Sequence, residues 1–106
     1  MDYGKLKNSL IKAREASIEA GKGEDGGTAN RDCVFLRLPR AREEKVLATI
    51  KGAGLYCRCK RRWIGNGYMI HPAGSGQGNS RARAVEIMKK VLEDDGWDVL
   101  GYYQMD

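Results

Sequence analysis

The chain has 106 residues, 42% hydrophobic and 31% charged, which allows one small core and is too well balanced for wholesale disorder. No apolar run approaches the roughly 20 residues of a membrane-spanning helix, and the first dozen residues hold no signal-peptide core, so a cytoplasmic protein with no membrane partner is expected. Three cysteines are too few for a disulfide scaffold and fit a reducing compartment.

The net charge of +5 is unevenly spread. Residues 1–30 carry five bases and five acids; residues 37–62 carry nine bases and two acids; residues 93–106 carry five acids and no base. Bases gathered in one stretch point to an anionic partner, set against the plainer reading of a solvated surface balanced by the acidic end.

In chain order, 3–20 predicts an amphipathic helix. Tyr3, Leu6, Leu10, Ala13 and Ser17 recur at steps of three and four, and Gly21 is the expected stop. The glycine-rich stretch 22–30 predicts a mobile linker. The chain therefore divides into a helix at 1–21, a linker at 22–30 and a compact unit at 31–106, with the helix as an appendage.

Within that unit, Cys33-Val34-Phe35-Leu36-Arg37-Leu38 predicts a strand, with Val34, Leu36 and Leu38 on one face and Phe35 and Arg37 on the other. Pro39 ends it. A helix is predicted over 40–53 and strands over 55–63 and 68–72. Between those strands Asn66-Gly67 predicts a two-residue hairpin turn, since both tolerate the positive φ it demands. A glycine loop leads to a helix over 79–95 capped by Asn79 or Ser80, and 98–105 predicts the last strand. The order is a helix followed by βαββαβ. That is the pattern of a ferredoxin-like α+β sandwich, a four-stranded antiparallel sheet with both helices of the unit on one face and the first and third strands in the middle.

The hairpin register decides what the other face carries. A two-residue turn pairs Trp63 with Ile70 and sends Leu55, Cys57, Cys59, Trp63 and Tyr68 inward. Phe35, Arg37, Arg58, Lys60, Arg62 and His71, with Tyr102, then lie on the open face. Basic side chains around an aromatic ring suit single-stranded DNA or RNA, because cations neutralise phosphates and a ring stacks on a base. The alternative for the basic strand is an edge protected from aggregation by its charges.

Val34-Phe35-Leu36-Arg37-Leu38 resembles the first-strand motif of RNA-recognition-motif domains, where an aromatic at the position of Phe35 stacks on a base. Gly67-Tyr68 matches the start of that family's second motif, but Ile70 stands where a second aromatic is expected. The likeness spans about five residues and assigns no membership.

Cys57-Arg58-Cys59 with Cys33 and His71 raises a metal site. Cysteines two apart on a strand are spaced roughly 6.5 Å along it, so buried free thiols are the expectation, with no metal and no cofactor. The loop before the last helix offers an anion site at Gly76, Gly78, Asn79, Ser80 and Arg81, built on backbone N–H groups at a helix start. A P-loop lysine and a dinucleotide fingerprint are both missing, and no catalytic constellation follows. Two functions are expected in order: a non-catalytic nucleic-acid-binding module, and a protein-interaction or self-assembly domain docking through the N-terminal helix and the open sheet face.

Overall fold

The computed structural model describes residues 1–20, 32–73 and 79–103. Its elements are α1 (Tyr3–Ala20), β1 (Cys33–Leu36), α2 (Glu43–Gly52), β2 (Lys60–Trp63), β3 (Gly65–Ile70), α3 (Asn79–Asp94) and β4 (Val99–Tyr102). The strands form one antiparallel sheet in the order β2-β3-β1-β4. This is an α+β architecture with the first and third strands in the middle, as the element order predicts.

β1 is buried along its length because it is central and has both faces covered. Val34 and Leu36 join Tyr68, Ile70 and Val99 beneath the helices. Cys33 and Phe35 join Met69 on the other face. This is the period-two alternation read from the sequence.

α1 starts where Asp2 caps it, the Asp2 carboxylate accepting the Lys5 N–H at 2.9 Å, one of the backbone donors that a helix start leaves unpaired. Its apolar stripe is not that of an appendage. Leu6, Leu10 and Ala13 are fully buried in the same cluster as Val46 and Ile50 of α2 and Val85, Met88 and Leu92 of α3. Polar contacts lock the packing at the far end of α3. The Ser9 hydroxyl donates to Asp95 at 2.7 Å and accepts the Trp97 indole N–H at 2.9 Å, and Lys12 pairs with Asp95 at 3.0 Å. The glycine-rich stretch 22–30 lies outside the described residues, and its composition does not isolate the helix that precedes it. A stripe of this kind gains most by burial, and a unit of fewer than 80 residues is short of core. The separation of 1–21 from 31–106 is therefore corrected to one shared core among the described residues.

The hairpin is also corrected. β2 and β3 pair Lys60 with Tyr68, Arg61 with Gly67, Arg62 with Asn66 and Trp63 with Gly65, so the chain reverses around Ile64. Gly65 supplies the positive φ, at 75°. Gly67 lies inside β3 outside the left-handed region. It is kept free of a side chain by packing, since a Cβ there would sit 2.6 Å from Phe35 Cζ and 2.8 Å from the Leu36 carbonyl oxygen. Asn66-Gly67 mimics a turn because two separate demands place glycines two residues apart.

Upstream of β2 there is a second irregularity. Tyr56 bridges His71, while Lys60 pairs with Tyr68, so Cys57, Arg58 and Cys59 oppose only Met69 and Ile70. The extra residue makes a β-bulge, which resets which side chains face which way.

Candidate nucleic-acid interface

The turn position settles the orientation of β2, because directly paired residues share a face and a one-residue slip exchanges the faces. Lys60 and Arg62 share the face of Tyr68 and Asn66, on the helix side. Arg61 and Trp63 share the face of Gly67 and Gly65, on the open side. The outward placement of Lys60 and Arg62 and the inward placement of Trp63 are both reversed. All four residues of β2 are nonetheless exposed, because β2 is an edge strand.

On the open face, Trp63 stands edge-on between two rings. It lies 5.3 Å from Phe35 at 81° and 5.0 Å from Tyr102 at 88°, the T-shaped geometry that aromatic quadrupoles favour. Phe35 is 0% exposed and Trp63 is 42% exposed. Phe35 therefore cannot stack on a ligand, and the accessible ring is the one above it. Tyr68, the match to the second motif of the RNA-recognition-motif pattern, is buried in the helix-side core, so neither residue of that likeness is presented.

Arg37 is committed. One guanidinium nitrogen meets Asp98 at 2.9 Å, another donates to the Ile64 carbonyl at 3.4 Å, and its Nε is buried. It ties the hairpin tip to the start of β4 and is not available to a phosphate. His71 lies at the opposite end of the open face, where its Nδ1 is 3.0 Å from an Arg81 nitrogen and its ring is 5.4 Å from that of Tyr56. A guanidinium can only donate, so Nδ1 accepts and the imidazole is neutral with its proton on Nε2. Burial and then the Arg81 charge hold its pKa below the usual 6.5. Arg81 also donates to the Asp32 carbonyl at 2.8 Å. Its guanidinium is thus turned toward β1 and β3. Gly76 and Gly78, and the side chains of Asn79 and Ser80, lie outside the described residues.

The thiols do not converge. The Cys33 Sγ contacts the Met69 sulfur at 3.5 Å, and the Cys57 Sγ faces the Cys59 carbonyl at 3.7 Å. Burial pushes the Cys33 and Cys57 thiols each up to about 11, so both remain protonated and pack as small hydrophobes. Among the described residues no group of three or more His, Cys, Asp or Glu could hold a metal ion.

Charge pairing separates the acidic from the basic segment. Glu93, Asp94, Asp95 and Asp98 are partnered by Lys89, Lys90, Lys12 and Arg37 respectively. Arg58, Lys60, Arg61 and Arg62 form no ion pair among the described residues. The four described acids of that segment are paired within the fold, while the β2 edge carries an excess of positive charge, with the Glu43 carboxylate accepting the Lys60 backbone N–H at 3.0 Å. α1, for its part, offers a partner no apolar stripe, since Leu6, Leu10 and Ala13 are buried at home.

Sequence reasoning missed Tyr56, Arg61 and Trp63. Tyr56 and Trp63 are the large exposed aromatics at the two ends of the β2 segment. Parity within β2 was readable; the turn position and the bulge that fix its absolute orientation were not. No helix among the described residues is long and apolar enough to cross a membrane. Comparison with protein-family models, curated proteins and solved structures found no match.

Proposed function

We propose that this chain is a ferredoxin-like domain, preceded by a helix, that binds single-stranded DNA or RNA without catalysis. The ligand lies on the open sheet face and along the β2 edge. The observation that carries the reading is the exposed Trp63 ring, braced by Phe35 and Tyr102, on the same strand as bases whose side chains form no ion pair among the described residues. A braced ring loses little freedom when a base stacks on it, and cations on an edge strand that hold no ion pair reach phosphates without first breaking one. Phe35, Arg37 and His71 support the site from beneath and from its ends, and Arg58, Lys60, Arg61 and Arg62 meet the backbone.

The test is fluorescence anisotropy with a labelled oligo-dT and a labelled oligo-U at several salt concentrations. Binding should weaken steeply with salt. Replacing Arg58, Lys60, Arg61 and Arg62 together by alanine should flatten the log–log slope by roughly two to three units, at about 0.7 per lost contact. Trp63→Ala should weaken binding by about 1–3 kcal/mol with little change of slope, because stacking releases no ions. Absence of binding at low salt ends the reading.

A further inference from the structure

The open face carries a second exposed ring. Tyr56 is 61% exposed, bridges His71 across to β3 and lies against its imidazole, the two rings tilted by 33°. Its neighbours Leu55 and Cys57 pack on the helix-side core, so Tyr56 points the other way, to the face that carries Trp63. The bulge at Cys57, Arg58 and Cys59 makes this possible. Without the extra residue, an even-numbered and an odd-numbered side chain of one strand could not share a face.

Gly65, the partner of Trp63, and His71, the partner of Tyr56, are six residues apart on one strand. At 3.3 Å per residue the two rings are about 20 Å apart along the sheet. Between them, Arg61 stands opposite Gly67, and the floor is Gly67 and Met69, both buried. The arrangement is a ring, a cation over a smooth floor, and a ring, along the basic β2 edge.

Resting on the nucleic-acid reading, we infer that the strand follows β2 from Trp63 to Tyr56 with an unpaired base on each ring, its backbone passing Arg61. The ligand class is unpaired nucleic acid, because bases within a duplex do not offer their faces to a side chain. Stacked at roughly 3.4 Å per nucleotide, a strand takes about six steps to cover 20 Å, and an unstacked one takes fewer. The track therefore holds about four to seven nucleotides.

The experiment measures affinity for oligo-dT and oligo-U from two to twelve nucleotides, and for a hairpin duplex, with the full chain and its Tyr56→Ala, Tyr56→Phe and Trp63→Ala variants. Thermal melts confirm that each variant is folded. Affinity should climb up to about four to seven nucleotides and then flatten. Tyr56→Ala should weaken the long oligomers roughly tenfold and leave dinucleotides unchanged, while Tyr56→Phe, which keeps the ring, should bind as the parent does. The DNA and RNA series show whether the 2′-hydroxyl contributes. If Tyr56→Ala binds long oligomers at parental affinity while Trp63→Ala does not, the track fails and the wider reading stands. A duplex bound as tightly as a single strand overturns the track. No binding to any oligomer overturns both.

Discussion

The two faces of the sheet bury their side chains by different means. Under the helices, Val34, Leu36, Tyr68 and Ile70 meet a layer built from all three helices. On the other face, Cys33, Phe35 and Met69 are almost as fully buried, yet partly buried Leu100 and Tyr102 and the exposed Trp63 are the neighbours that screen them. A thick cover converts apolar area into stability. A one-residue-deep cover leaves rings at the surface, where they can meet a ligand. The two faces share β1, so alternate residues of one strand serve the core and the prospective site.

Breaking the thick face should cost most. Leu10→Ala empties a fully buried position between α1 and the rest of the core and is expected to destabilise by about 2–5 kcal/mol, read as a lower urea midpoint. Removing residues 1–20 altogether should abolish cooperative unfolding. A truncated chain that melts cooperatively would show that α1 is dispensable.

The thin face is sharpened by Gly67→Val, with an expected cost of about 1–3 kcal/mol or more from overpacking. The added side chain would run into the Phe35 ring and the Leu36 backbone. Combining it with Phe35→Leu should recover part of the loss, since the collision with the ring is removed. Strict additivity in that double-mutant cycle would mean that the ring does not press on Gly67.

Much of this division was legible in the residues. The periodicity of Leu6, Leu10 and Ala13 and the alternation along Val34, Phe35 and Leu36 follow from geometry that every helix and strand obeys, and both were read correctly. The orientation of β2 was not legible. It depends on whether the chain reverses around Ile64, as the pairing of Trp63 with Gly65 shows, or at Asn66-Gly67, where local turn chemistry points. In that first register Gly67 lies against Phe35, a long-range contact that no window around the turn contains. The bulge that brings Tyr56 onto the open face has no local signature either, because its cause is the pairing of two separated stretches, Tyr56 with His71 and Lys60 with Tyr68. The helix-like stripe of α1 was visible, but what it packs against was not, because a linker's composition says nothing about where its ends are held.

The smallest expected effect lies at the far end of the open face and is one of pH. Arg81 donates to the imidazole of His71 at 3.0 Å, a bond that the protonated ring cannot accept. Burial and that guanidinium hold the folded pKa below the usual 6.5. In the unfolded chain the ring takes up its proton near 6.5, so below that pH the unfolded state binds more protons than the folded one. Stability is then flat above about pH 6.5 and declines as pH falls through the folded pKa. Asp95, held below the usual 3.8 by Ser9 and Lys12, also loses stability on acidification, but only in the range below 3.8, so the two groups separate cleanly. Urea midpoints at pH 7.5 and pH 5.5 should differ in the parent chain and differ less in His71→Gln, whose amide oxygen can still accept from Arg81 but does not titrate. Equal midpoints in the parent would mean that the Arg81 bond to the ring is not held in solution, and the support beneath Tyr56 would lose its anchor to α3.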